Sequence, residues 1–208
     1  MTTENHSSPR IVSIYTEQTP NPETMKFVLN KMLFAHNSAD FPSPDDARAI
    51  SPFATALFDE FPYINGVFVM NNFVTVTKKA EHDWLEITGD LREFIRGYVT
   101  NGGEIIDQVA WSERVSSAVS ENAGNLILGD DTEVVKKIKE MLTRYVQPAV
   151  EMDGGTIVFR KFDEGVLTLG MQGSCSGCPS STVTLKAGIE GLLKRMVPEV
   201  QSVEAEMM

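Results

Sequence analysis

The sequence predicts an α+β protein of two small α/β domains. At about 150 residues per domain, 208 residues leave room for two small units. Strand-type and helix-type patterns occur on both sides of a Ser-containing stretch with weaker periodicity, residues 108–130. We therefore predict a first domain at 10–107 with an antiparallel sheet and two helices. A linker follows at 108–130, and a second domain of order α-β-β-α-β occupies 131–206.

The composition restricts the classes of partner. The chain carries 18 basic and 29 acidic side chains, a net charge of -11. A surface this acidic repels phosphate, so we expect neither nucleic acid nor an anionic membrane as partner. No apolar run reaches the roughly 18 residues of a membrane-spanning helix. The N-terminal MTTENHSSPR has neither the basic start and apolar segment of a secretory signal nor an Arg-rich transit helix, which predicts a cytoplasmic protein.

The first domain begins with strand-type sequence. Residues 11–16 and 25–30 are rich in β-branched and aromatic residues and predict two strands. Between them, Thr19–Pro22 is interpreted as a rigid turn because each proline fixes its own φ. An edge that docks a partner protein, formed by this turn with Met25-Lys26, is the alternative. The polar, proline-containing stretch 35–50 is interpreted as a surface loop.

Two helices and a hairpin complete the first domain. Ser51-Pro52 has the pattern of an N-cap followed by proline at the first helical position. Residues 66–70 and 73–78 predict two strands around an Asn-Asn turn. Apolar residues between Ile87 and Tyr98 recur at helical spacing and predict an amphipathic helix.

The second domain shows the same types of pattern. Asp130 and Glu133 have the spacing of a capping box before an amphipathic helix. Asp153-Gly154-Gly155 is interpreted as a tight turn, with a contact to the cysteine motif as the alternative. The remaining elements are strands at 156–162 and 166–171, a hairpin loop at 163–165, a helix ending before Pro198, and a short strand at 200–203.

The only two cysteines, Cys175 and Cys178, form one CxxC motif. So few cysteines in a reducing compartment favour a metal or redox site over a disulfide scaffold. Pro179 suits the first position of the following helix, which places Cys178 at or next to the N-cap. Helix N-termini favour thiolate over thiol, so we expect the pKa of these cysteines to be lowered.

Counting ligands constrains the site. Tetrahedral zinc and iron–sulfur clusters take four protein ligands, whereas one chain offers two thiolates. The three histidines, His6, His36 and His82, all lie in the first domain, far away in sequence. A symmetric dimer with two CxxC motifs supplies four sulfurs and predicts a shared site.

Local spacing leaves other readings of the motif open. It is compatible with a shared cluster, a zinc-stapled adaptor dimer, a dithiol–disulfide oxidoreductase and an incidental pair. The oxidoreductase reading has specific weaknesses. Ser174 stands where thioredoxin-like sites usually carry an aromatic residue, and the βαβ start of that fold is missing.

Longer stretches add a family resemblance. Residues 132–206, with VQPAVEMDGGTI, LGMQGSCSGCPSSTVTLKAGIEGLL and VPEV, resemble the C-terminal domain of NifU-like proteins. Residues 11–107, with TPNPETMKFVLNK, SPFATALF and FVTVTK, resemble the N-terminal domain of the Nfu subgroup.

The resemblance implies an iron–sulfur cluster scaffold or carrier rather than an enzyme. Its implied cluster ligands fall on Cys175 and Cys178. The implied cargo is a [4Fe-4S] cluster, with [2Fe-2S] as the alternative, shared between two chains that dimerise on binding it. The implied partners are apo iron–sulfur client proteins and upstream cluster-assembly proteins.

Overall fold

The computed structural model describes residues 11–118, 125–129, 131–176 and 179–207. They form an α+β structure with two sheets, so the predicted fold class is confirmed. Two large hydrophobic cores belong to these sheets, one built from residues between Val12 and Ile106 and the other between Ile138 and Val203. The limits at 10–107, 108–130 and 131–206 stay a prediction. No helix in these residues is long and apolar enough to cross a membrane.

The N-terminal sheet has five antiparallel strands in the order β1-β2-β5-β4-β3. The strands are β1 (Ile14–Gln18), β2 (Thr24–Leu29), β3 (Phe34–Phe41), β4 (Ile64–Asn71) and β5 (Phe73–Lys78). Asn71 has φ +47°, so the predicted Asn-Asn turn joins β4 to β5. The helices are α1 (Pro44–Arg48), α2 (Pro52–Glu60) and α3 (Trp84–Thr100).

The helices begin as the sequence predicts. The Ser51 hydroxyl accepts a hydrogen bond from the Ala54 N–H, with Pro52 at the first helical position. In α3, Ile87, Leu91 and Ile95 are buried against the sheet. These contacts form the core on one face of the N-terminal sheet.

Residues 35–50 correct the sequence prediction. In place of a surface loop, they contain most of β3 and the short helix α1. Ala39 and Phe41 of β3 point into the core, while Ser38 and Asp40 alternate to the opposite face. Part of the polarity that indicates a loop, on Ser38 and Asp40, belongs to this second face.

The opposite face of the N-terminal sheet is also covered. Strand β2 is buried along its whole length: Lys26 and Thr24 on this side are 8% and 2% exposed, and Phe27 on the core side is 0% exposed. Thr75 of β5 is 1% exposed. We call this second side, with Ser38, Lys26, Phe68 and Thr75, the outer face. Backbone of the C-terminal unit covers it.

The predicted linker contains ordered structure at both ends. Residues Gln108–Ala118 form helix α4, and the Trp111 ring packs edge-to-face against Phe34. Asn125 donates to the Ile157 carbonyl and accepts from the Phe159 N–H, which fixes the chain beside the C-terminal sheet. Each end of the segment is therefore attached to a different unit.

The C-terminal unit has the predicted α-β-β-α-β order. Helix α5 (Glu133–Met141) continues through a π-helical turn (Leu142–Val146) into α6 (Gln147–Met152). Then come β6 (Gly155–Asp163), β7 (Val166–Gly173), α7 (Pro179–Met196) and β8 (Ser202–Met207). Strand β7 pairs antiparallel with β6 and parallel with β8, which places it in the centre.

The helical segment from α5 to α6 has two local features with identifiable causes. Thr132 caps α5 by accepting from the Val135 N–H. The predicted cap residue, Asp130, lies outside the described residues. Pro148 has no N–H to donate and crowds the preceding turn, which accounts for the π-helical turn before it.

Candidate functional site

The CxxC motif lies in the connection between the central strand β7 and helix α7. Strand β7 ends at Gly173 and α7 begins at Pro179, so residues 173–178, the CxxC loop, span the gap. Cys178 lies outside the described residues. Cys175 is described and is 5% exposed.

The Cys175 side chain is turned into the C-terminal core. It belongs to the hydrophobic cluster that includes Ile157, Met171 and Leu193. A Cβ atom on Gly155 would lie 2.6 Å from its sulfur, so the glycine provides the space that the thiol occupies. The Asp153-Gly154-Gly155 motif is thus both the predicted turn and a contact of the CxxC loop.

This burial overturns the expected electrostatics of Cys175. Removal from water raises the pKa of its thiol to about 12, because the low-dielectric core disfavours the thiolate. A hydrogen bond with Ser174 lowers the pKa, while the charges of Asp153 and Asp40 raise it further. The expectation of a lowered pKa is wrong for Cys175, since tertiary burial outweighs the nearby helix N-terminus.

The outer face of the N-terminal sheet holds the CxxC loop. Asn21, in the turn before β2, is 2% exposed. Its amide Nδ2 lies 3.4 Å from the Ser174 carbonyl oxygen and 3.1 Å from that of Ser176. One amide group therefore holds the backbone on both sides of Cys175.

A second group of contacts holds the turn beneath the loop. The Thr75 hydroxyl donates to the Gly154 carbonyl at 2.6 Å. The Lys26 ammonium donates to the carbonyls of Glu151 and Met152 at 3.2 and 2.9 Å. These carbonyls end helix α6, where a cation is favourable.

Asp40 contributes an unusual carboxyl group to the same interface. A backbone hydrogen bond connects it to Gly173. Burial nevertheless raises its pKa to about 7, and the neighbouring Asp46 charge adds to the rise. This carboxyl therefore titrates near neutral pH.

Position 173 requires glycine because of its backbone conformation and because of its close neighbours. Its φ is +64°, in the left-handed region that favours glycine. A Cβ atom there would lie 2.8 Å from the Gly154 carbonyl oxygen and 2.8 Å from the Phe68 ring. The residue therefore allows the backbone to approach the outer face.

Sequence reasoning singled out the Thr19–Pro22 turn but missed how Asn21, Lys26, Asp40 and Thr75 converge. One sequence signal exists for two of them. Lys26 and Thr75 are polar residues between buried apolar residues of β2 and β5. Of the predicted ligands, only Cys175 can be placed. In the part of the chain that the structure describes, no group of three or more His, Cys, Asp or Glu side chains is arranged to hold a metal ion.

Comparisons with known proteins match both units. Residues 14–102 match the family model described as the Nfu/NifU scaffold protein N terminus. Residues 138–204 match the NifU-like domain. The two matches are in the order that the sequence resemblance implies.

Curated relatives match nearly the whole chain. The chain is 40% identical over 196 residues to the "NFU1 iron-sulfur cluster scaffold homolog, mitochondrial" of Drosophila willistoni, covering 94% of this chain and 64% of the relative. The protein of the same name from Drosophila persimilis is 39% identical, with coverage of 94% and 65%. This chain thus spans about two thirds or less of these relatives' lengths.

The relatives correct the predicted location. Their names place them in mitochondria, so the expectation of a cytoplasmic protein is wrong. The expectation rested on the residue types of the first ten positions.

A solved structure resembles part of the chain. The solution structure of a NifU-like protein from Saccharomyces cerevisiae has a TM-score of 0.44 and 21% sequence identity. The match covers 52% of this chain and 95% of the yeast chain.

Replacing Gly173 by alanine tests how closely the backbone must approach the outer face. We expect Gly173→Ala to lower the free energy of unfolding by about 1–3 kcal/mol, from its positive φ and the two 2.8 Å contacts. Gly188→Ala in α7, where a Cβ meets nothing within 4 Å, is the matched control. It should stabilise by about 0.5–1 kcal/mol through helix propensity. Equal effects in chemical denaturation would contradict the account of Gly173.

Replacing Asp40 by asparagine tests its raised pKa. Because the folded-state pKa is about 7 and the ordinary value 3.8, the wild type loses stability as pH rises between them. Asp40→Asn removes this loss and keeps an acceptor for Gly173. Its gain in Tm should therefore be near zero at pH 4 and grow up to pH 8. Asp45→Asn, at an exposed carboxyl paired with Arg48, controls for net charge. A gain that does not change with pH would refute the assignment.

Proposed function

Because this chain belongs to the Nfu/NifU family of iron–sulfur cluster scaffold proteins, we propose that it carries iron–sulfur clusters. In this proposal Cys175 and Cys178 of two copies bind one [4Fe-4S] cluster between them. The cluster is cargo, which the dimer receives from upstream assembly proteins and passes to apo client proteins. The role requires no catalysis by the chain itself.

The observation that carries the proposal is the number of sulfur ligands. The whole chain has two cysteines, and both lie in the motif of the domain that matches NifU-like proteins. A cluster that takes four cysteine ligands requires two copies. Such a site opens when the dimer separates, which favours transfer over permanent storage.

The chemistry of loading and release follows from the thiols. Each cysteine loses its S–H proton to solvent as its sulfur forms a bond to iron. During transfer a client thiolate forms a new Fe–S bond, and the displaced cysteine of this chain recovers a proton. No electrons need to be exchanged in these ligand substitutions.

The environment of Cys175 bears on the alternative function, that of a dithiol–disulfide oxidoreductase. A dithiol oxidoreductase needs an accessible nucleophilic thiolate, with a pKa near or below the ambient pH. Cys175 is buried and its thiol pKa is about 12. This arrangement disfavours Cys175 as the attacking thiol of an oxidoreductase.

Removing either cysteine tests the proposal. After anaerobic reconstitution with iron and sulfide, native mass spectrometry should show a wild-type dimer with four iron and four sulfide ions. Cys175→Ala and Cys178→Ala should each bind no cluster, because two copies then supply only two thiolates. Ser176→Ala, within the same loop, keeps both cysteines and should keep the cluster. A cluster-loaded Cys178→Ala dimer would refute the ligand assignment.

A further inference from the structure

We propose that the outer face of the N-terminal sheet, together with Asn21 in the turn before β2, forms an intramolecular clasp on residues 173–176 of the CxxC loop. The clasp must release the loop before a cluster binds. This inference rests on the proposed function, since it concerns how the same site is made accessible. The closed form has Cys175 turned into its own core. The open form presents the sulfur to a cluster and to a second copy.

The contact of the clasp that reaches the backbone on both sides of Cys175 is the Asn21 amide. It donates towards the carbonyls of Ser174 and Ser176, which flank Cys175 in the chain. Its own oxygen accepts the Glu23 N–H, so the side chain is held in place by its turn. These bonds fix the carbonyls on both sides of Cys175 and so restrain the backbone that carries its side chain.

Lys26 and Thr75 hold a second part of the C-terminal unit, the turn at the end of α6. Together they bond to three carbonyls around the end of α6, those of Glu151, Met152 and Gly154. Gly154 accepts a further bond from the Ser174 N–H at 3.3 Å, which links this anchor to the CxxC loop. The two groups of contacts therefore act on one connected piece of backbone.

In the clasp, backbone of the C-terminal unit approaches the outer face closely at two glycines. A Cβ on Gly154 would lie 2.9 Å from the Thr75 hydroxyl, and one on Gly173 would lie 2.8 Å from the Phe68 ring. Both residues have positive φ, as left-handed turns require. Two turns of the C-terminal unit thus present glycines to the outer face.

The closed form is incompatible with a shared cluster at Cys175. The sulfur contacts Gly155 and core side chains of its own unit, and it is 5% exposed. A cluster bridging two copies must bond to this sulfur from outside the core. The loop must therefore rearrange, and the bonds from Asn21 resist that rearrangement.

Asn21→Asp tests the clasp with little change in shape. The aspartate keeps the oxygen that accepts from Glu23, loses both amide protons and places a charge against two carbonyl oxygens. Asn30→Asp is the matched control. Asn30 likewise accepts a backbone N–H, from Ser13, and donates to a carbonyl, that of Ile11, but it lies away from the loop.

The first readout needs no cluster. Iodoacetamide alkylation of Cys175 in the reduced, metal-free full-length protein is followed by fragmentation mass spectrometry, which separates it from Cys178. We expect Asn21→Asp to accelerate alkylation about tenfold or more, since two hydrogen bonds to the loop are lost. Asn30→Asp should react at the wild-type rate. Equal rates in all three proteins would overturn the clasp.

The second readout tests whether the clasp controls the rate at which the protein incorporates a cluster. Asn21→Asp should incorporate the cluster faster than wild type under anaerobic reconstitution, by a similar factor. Faster alkylation with unchanged cluster incorporation would overturn the gating role while leaving the proposed function intact. Absence of cluster in the wild type and both variants would overturn the proposed function instead, whatever the alkylation rates show.

Discussion

Contact between the outer face and two glycine-containing turns is the constraint on which the site depends. It buries the outer side of β2, brings Asn21 to the backbone around Cys175, and sets the surroundings of Asp40. Buried backbone carbonyls need donors, and the N-terminal sheet supplies them from side chains. The position of the CxxC loop therefore depends on a unit that contains neither cysteine.

Much of the fold follows from local sequence. The apolar spacing of α3, the Ser51-Pro52 start of α2 and the Asn-Asn turn all carry short-range signals that tertiary contacts reinforce. The C-terminal element order also follows from periodicity and turn residues. These features depend on neighbours within a few residues, which the sequence shows directly.

Two of the errors have tertiary contacts as their cause. The polar, proline-containing stretch 35–50 predicts a loop, yet Ser38 and Asp40 of β3 face the C-terminal unit. The pKa of Cys175 was expected to fall because a helix begins nearby, yet burial raises it. The contact of Ser38 joins residues more than a hundred positions apart, and Cys175 is buried by side chains of its own unit that meet only in the folded chain. Local pattern carries no signal for either.

The central claim is most directly tested by nuclear Overhauser effects in the reduced, metal-free full-length protein. The account predicts cross-peaks between the Phe68 ring protons and the Gly173 α-protons, and between the Asn21 side-chain amide and Ser176. It also predicts that Asn21→Asp weakens the Phe68–Gly173 cross-peaks. Absence of these cross-peaks in the wild type, with the two units tumbling independently, would contradict the account.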